Sequence, residues 1–191
     1  MIFIRMLILL SLFFIVLTLF TLNSYRSFFF KTTQSELYER TAMFSARFTQ
    51  LLLDTQDSSQ NIQTVVDQLA AQGNIRITVI LPSGTVIADS HENAATMENH
   101  IDRPEIQTAL NEGRGYNLRY SDTLEKQMLY TAAELKSNGS PVGVLRMAVS
   151  TEALQTQLTG LILEIIFGGL IIVIGSAISA WWISRRISAP L

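Results

Sequence analysis

The sequence predicts a membrane protein of the α+β class, with two transmembrane helices flanking a domain built on an antiparallel sheet. Of the 191 residues, 48% are hydrophobic and only 16% are charged, and the mean hydropathy is +0.29. The longest apolar runs lie near the two ends of the chain. Between them, a stretch of helical periodicity precedes several short strand-like runs separated by turn residues. These three observations predict spans at the ends and a long helix followed by a sheet between them.

The two apolar runs are both suited to cross a bilayer. Residues 6–22 contain no charge and follow Arg5, and residues 165–183 are also uncharged. A helix rises about 1.5 Å per residue and a bilayer core is about 30 Å thick, so each run with its neighbours is long enough. A pair of tryptophans at 181–182 and a pair of arginines at 185–186 end the second run, as expected at a membrane interface.

The flanking arginines predict the topology. By the positive-inside rule both chain ends are cytoplasmic, so we predict a multi-pass membrane protein. We predict a cytoplasmic N-terminus at 1–5, a first transmembrane helix at 6–25, an extracytoplasmic domain at 26–160, a second transmembrane helix at 161–183 and a cytoplasmic tail at 184–191. A cleaved signal peptide is disfavoured because residues 22–25 offer no small-x-small cleavage site.

The outer domain is predicted to be an α+β domain with its helices on one side of the sheet. Helices are expected at 28–53, at 61–71 and, with an early proline and a stop at Gly113, at 103–110. Strands are expected at 75–81, 85–89, 116–121, 127–135 and 142–150. Gly84 and the Asn138-Gly139 pair mark hairpin turns. Residues 151–160 are expected to form a helix continuous with the second span.

Composition excludes several classes of function. The net charge is −2 and there is no basic cluster, which disfavours a nucleic-acid-binding protein. There are no cysteines and only two histidines, so disulfides, thiolate metal sites and histidine-rich metal sites are not expected. Neither a P-loop nor a dinucleotide-binding glycine motif occurs. We therefore expect no catalytic residue, no metal site and no cofactor in this chain.

One pattern in the middle of the chain resembles a known family. The strand–turn–strand at 77–89, the segment 98–106, and Arg119-Tyr120-Ser121 with Tyr130 resemble the extracytoplasmic PAS-like (single Cache) sensor of bacterial two-component histidine kinases. The resemblance is strongest to the phosphate-regulon type. The tail at 183–191 is similar to the opening of a HAMP linker.

This resemblance implies a role in signalling for a longer parent protein. Such a parent is a homodimer that uses ATP and Mg²⁺ to phosphorylate its own histidine, then transfers the phosphoryl group to a response regulator. Ser90-His91-Glu92 is not that phosphoacceptor box, because the leucine, basic residue and proline that follow in the family are missing. The alternatives are the input region of a chemoreceptor or a cyclic-di-nucleotide enzyme, or a stand-alone membrane binding protein.

The candidate ligand-binding residues are Arg103, Tyr116, Arg119 and Tyr130. In Cache-like domains the cavity lies between the sheet and the helix before the last three strands, where arginine would bind a small anionic ligand. Alternatively, these arginines form internal ion pairs, for example with Glu105, or the domain contacts an extracytoplasmic partner protein. Strand alternation means that Arg119 and its neighbour Tyr120 cannot both face one pocket.

Overall fold

The computed structural model describes residues 2–54, 58–121 and 124–187. The chain divides into two compact units. The first unit combines Met1–Phe30 with Ala153–Leu191, and the second unit, called the outer unit below, is Lys31–Glu152. Half of the predicted start of the HAMP linker, residues 188–191, lies outside the described residues.

The described elements follow the predicted order. The helices are α1 (Ile2–Leu53), α2 (Ser58–Gly73), α3 (Pro104–Glu112) and α4 (Glu152–Ile187), with a short 3₁₀ turn at Ala94–Thr96. The strands are β1 (Arg76–Ile80), β2 (Val86–Asp89), β3 (Arg114–Ser121), β4 (Lys126–Ser137) and β5 (Ser140–Ser150). The first predicted span and the predicted helix at 28–53 are parts of the single helix α1.

The first unit contains the apolar parts of α1 and α4. Two helical segments, Ser11–Leu53 and Thr159–Ser179, are long and apolar enough to cross a membrane; their most apolar 18-residue stretches have mean hydropathies of 1.4 and 2.6. Within this unit the ring of Phe14 packs on Gly169, where an added Cβ would lie 2.5 Å from the ring. A glycine at this position therefore lets the two helices approach closely.

The five strands of the outer unit form one antiparallel sheet in the order β2-β1-β5-β4-β3. The hairpin turns are those that the sequence predicts. Asn138 and Gly139 both have positive φ, 51° and 83°, as a type I′ turn requires. The pairing of β1 with β5, for example Ile77 opposite Met147, joins strands far apart in the sequence and makes β5 the central strand.

Helices cover both faces of the sheet, so the prediction that they lie on one side is wrong. On one face, α1 and α2 bury Phe48 and Val66 in a core that includes Ile77. On the other face, α3 buries Ile106 and Ala109 in a second core. The reason is that all five residues of β1 are buried. A strand buried on both faces needs a covering layer on each.

Helix α3 lies unusually close to β3 because of Gly115. A Cβ built on Gly115 would collide with the backbone oxygen of Glu105 and lie 3.0 Å from the amide nitrogen of Ala109. Both obstacles are backbone atoms, so no side-chain rotation relieves them. This contact fixes the height of α3 above the sheet, and with it the position of Glu105.

We predict that Gly115→Ala lowers the free energy of unfolding by about 2 kcal/mol, the usual cost of overpacking a tight contact. The measurement is a urea titration of the detergent-solubilised chain followed by circular dichroism. Gln127→Ala, an exposed position on the neighbouring strand, is the control and should change stability by less than about 0.5 kcal/mol. Unchanged or increased stability of Gly115→Ala would show that α3 does not rest on β3 as described.

Candidate functional site

The face of the sheet under α3 contains a buried arginine on the central strand. Arg146 interrupts an otherwise apolar run in β5, and its side chain is only 2% exposed. Because a regular strand alternates its side chains, Arg146 points to the α3 face, whereas its neighbours Leu145 and Met147 belong to the core on the opposite face. An ionised group buried at this depth must be paired or hydrogen-bonded.

Partners from several elements meet the Arg146 guanidinium. Its Nη2 donates to Thr78 Oγ1 at 3.0 Å, and its Nη1 lies 3.4 Å from Glu105 Oε1. Arg119 Nη2 lies 3.6 Å from the same carboxylate oxygen. The guanidinium carbons of Arg119 and Arg146 lie 4.3 and 5.0 Å from the centre of the Tyr130 ring. One carboxylate and one aromatic ring are therefore shared by two arginines.

A second ion pair adjoins the first. Arg76 Nε lies 3.0 Å from Asp89 Oδ2, and both side chains are buried. Thr78 Oγ1 donates to the same Asp89 oxygen at 2.7 Å, so Thr78 links the two pairs. Burial alone would raise the pKa of Asp89, but the charge of Arg76 and the hydrogen bonds from Arg76, Thr78 and the His91 backbone N–H outweigh it, and the pKa is lowered.

Beside these groups lies a small polar cavity of about 40 Å³, between the sheet and the loop that leads into α3. The lining residues are Arg76, Met97, His100, Arg103, Arg119, Ser121, Tyr130 and Arg146. The carboxylates of Asp89 and Glu105 pair with arginines of this group and are not among the lining residues. Among the described residues, three buried side-chain polar atoms have no hydrogen-bond partner: His100 Nδ1, Arg119 Nε and Glu105 Oε2. The first two belong to residues that line the cavity. The cavity therefore has unused hydrogen-bonding capacity.

The cavity carries an excess of positive charge. Four arginines line the cavity, and the buried carboxylates of Asp89 and Glu105 offset two of their four positive charges. His100 adds no charge at neutral pH, because burial and then the charges of Arg146 and Arg103 lower its pKa to about 4. Burial also lowers the pKa of Arg146 to about 10, which leaves it protonated at neutral pH. The arrangement is suited to bind an anion.

The structure brings together three of the four candidate residues. Arg103, Arg119 and Tyr130 all line the cavity, which adjoins the loop before α3 rather than α3 itself; their role in ligand binding stays a prediction. Tyr116 does not join them, because it lies an odd number of residues from Arg119 on β3, faces the opposite side of the sheet and is 63% exposed. Tyr120 is excluded in the same way and is 50% exposed. The ion-pair alternative also holds in part, since Arg119 pairs with Glu105.

Three further residues line the cavity but are not among those predicted from the sequence: Arg76, Arg146 and His100. The signal for the two arginines was present, because each interrupts a run of apolar residues in a strand. A charge within a strand that is buried on both faces has to be paired or functional. Nothing local marked His100, which comes from the loop before α3.

A second, larger space of about 410 Å³ lies between α1 and the α3–β3 edge of the outer unit. It is an open groove rather than an enclosed cavity. Its lining includes Lys31, Tyr38, Glu112, Arg114 and Tyr116, so both signs of charge are present. Among the described residues, no group of three His, Asp or Glu side chains is placed to hold a metal ion.

Comparisons with known proteins match the chain at the level of the fold alone. No family model matches the chain, and no curated protein matches it. The sensor domain of the Vibrio cholerae histidine kinase DctB superposes with a TM-score of 0.57 at 16% identity, covering 71% of this chain and 58% of that one. The Escherichia coli DcuS sensor domain superposes with a TM-score of 0.53 at 14% identity, covering 68% of this chain and 96% of that one.

Chemoreceptor domains give similar values. The Campylobacter jejuni Tlp3 ligand-binding domain, solved with 4-methylisoleucine, has a TM-score of 0.55 at 17% identity and covers 71% of this chain and 57% of that one. The Mlp24 ligand-binding domain, solved with asparagine, has a TM-score of 0.57 at 15% identity and covers 78% of this chain and 63% of that one.

The outer unit has the fold of a Cache-like sensor domain. The chain spans less than two thirds of the length of the DctB and Tlp3 structures. None of these four structures is of the phosphate-regulon type, so that part of the sequence resemblance is not supported.

The burial of His100 predicts how the stability of the folded chain depends on pH. Between about pH 4 and pH 6.5 the unfolded chain binds a proton at this histidine that the folded chain does not, so stability falls on acidification from pH 7. We predict that His100 accounts for roughly 2 kcal/mol of the stability lost between pH 7 and about 4.5. His100→Gln should lack this part of the pH dependence. The measurement is urea unfolding at a series of pH values.

His91→Gln is the control, because His91 is exposed. It should keep the full pH dependence of the wild-type chain. A pH dependence that is the same in His100→Gln and wild type would contradict the burial of His100.

Proposed function

We propose that this chain is the signal-sensing and membrane portion of a transmembrane receptor, and that its outer unit binds a small anionic ligand in the arginine-lined cavity. The observation that supports this most strongly is the surplus of positive charge among the residues that line the cavity, together with the buried, unpartnered Nε of Arg119. Leaving donors buried and unused costs free energy, which a bound anion would recover. A purely structural ion-pair network has no need of such a surplus.

For the output we propose a sensor histidine kinase. The resemblance of residues 183–191 to a HAMP linker supports this, as do the solved kinase sensor domains with the same fold. The parent would be a homodimer in the cytoplasmic membrane of a bacterium, with residues 26–160 outside. It would use ATP and Mg²⁺ in cytoplasmic domains and transfer the phosphoryl group to a response regulator.

A chemoreceptor is the second candidate. The observation that favours it is that ligand-binding domains of two chemoreceptors, Tlp3 and Mlp24, superpose as well as the kinase domains do. The coding sequence past residue 191 distinguishes the two. A HAMP segment followed by a phosphoacceptor histidine box would support the kinase, and a long heptad-repeat hairpin would support the chemoreceptor.

The connection from the cavity to α4 supports a mechanism of signalling. Strand β5 contains Arg146 and ends at Ser150, two residues before α4 begins. This junction is fastened to β4, because Thr151 N–H donates to Gln127 O at 2.9 Å and Lys126 Nζ lies 2.8 Å from a Glu152 carboxylate oxygen. A ligand held by Arg146 would act on the strand that leads directly into α4. Differential binding of a few kcal/mol is enough to shift a two-state equilibrium.

We predict that small anions raise the melting temperature of the detergent-solubilised full chain, measured against chloride at equal ionic strength. The panel is phosphate, sulfate, acetate and succinate. Arg103→Gln should lose most of the shift, because Arg103 lines the cavity at the residue before α3. Arg47→Gln removes the same charge from an exposed position on α1 and should keep the shift.

Two results would contradict the proposed function. One is that no anion in the panel shifts the melting temperature. The other is that both variants respond like the wild-type chain, which would place anion binding outside the cavity.

A further inference from the structure

We infer that the ligand of this cavity is a compact oxyanion with two negative charges and no ammonium group, of the chemical class of inorganic phosphate and sulfate. This inference rests on the proposed function, since it specifies the chemistry of the anion that the cavity would bind. Three separate properties of the cavity carry it: its volume, its balance of charge and the kinds of polar groups that line it.

The volume favours a very small ligand. A cavity needs roughly 10–15 Å³ to hold one water molecule, so 40 Å³ holds a few waters or one tetrahedral oxyanion. Sites for larger organic ligands are typically about 300–1,000 Å³. A dicarboxylate or a branched amino acid would have to displace lining side chains such as Met97, which packs against the second core.

The charge balance favours a dianion. Arg76 is paired with Asp89, and Arg119 and Arg146 share Glu105. Two positive charges in the lining therefore have no buried carboxylate to match them. A dianion would neutralise both, whereas a monocarboxylate would leave one charge unmatched in a desolvated site.

The lining groups disfavour a zwitterion. An α-ammonium group needs carboxylate or carbonyl acceptors, yet the charged side chains among the lining residues are all arginines. Neither nearby carboxylate lines the cavity. Asp89 accepts from Arg76 and Thr78, and Glu105 pairs with two arginines through Oε1, while its Oε2 has no hydrogen-bond partner. An ammonium group here would face guanidinium groups. This separates the cavity from a site that binds amino acids.

Two unpartnered atoms would be satisfied by the same oxyanion. Arg119 Nε is a buried donor without a partner, and His100 Nδ1 is a buried ring nitrogen without a partner. Both residues line the cavity. An oxyanion presents several acceptor oxygens in a small volume, so it is the ligand that uses closely spaced donors most completely.

The test is isothermal titration calorimetry of the full chain in detergent, at pH 7.5 and constant ionic strength. The titrants are inorganic phosphate, sulfate, acetate, succinate and L-isoleucine. We expect phosphate or sulfate to bind at least ten times more tightly than acetate, and succinate and isoleucine to give no measurable binding. Arg103→Gln should weaken oxyanion binding at least tenfold, and Arg47→Gln should leave it within twofold.

The possible results separate this inference from the proposed function. Tight binding of succinate or isoleucine that Arg103→Gln abolishes would overturn the oxyanion assignment and leave ligand sensing by the cavity intact. Oxyanion binding that is equal in both variants would overturn the assignment by showing adventitious binding elsewhere. Absence of binding by every titrant would overturn both.

Discussion

The outer unit depends on the need to satisfy the buried guanidinium of Arg146. Strand β5 lies at the centre of the sheet, so a long cationic side chain there cannot reach solvent. Its partners come from three other elements: Glu105 from α3, Thr78 from β1 and Tyr130 from β4. The close seating of α3 on Gly115 brings the Glu105 carboxylate within reach. Helix position, strand order and charge pairing thus all contribute to satisfying one buried charge.

Stability alone does not explain this arrangement. A buried ion pair gains little over apolar side chains of similar volume, because removing both charges from water is costly. The carboxylates also do not balance the arginines, so a surplus of positive charge remains among the residues that line the cavity. A ligand site accounts for both features, since an incoming oxyanion completes the charge balance. The site then lies beside the strand that continues into α4, which is where a signal would have to pass.

Local sequence signals predicted the elements, but the site depended on long-range pairing. Asn138-Gly139 marks a hairpin by its positive φ values, and Pro104 and Gly113 mark the ends of α3. No local pattern predicts that β1 pairs with β5, and that pairing places Arg146 at the sheet centre. For the same reason, local sequence patterns did not predict that helices cover both faces of the sheet. Strand alternation did foresee that Arg119 and Tyr120 face opposite ways.

The position of the anion is the central claim, and a crystal structure of the full chain grown with selenate measures it directly. Selenium scatters anomalously, so the peak locates the oxyanion independently of the protein density. The account predicts a selenium peak in the cavity, within hydrogen-bonding reach of the guanidinium groups of Arg103 and Arg146. A peak in the open groove beside Lys31 and Arg114, with none in the cavity, would contradict it.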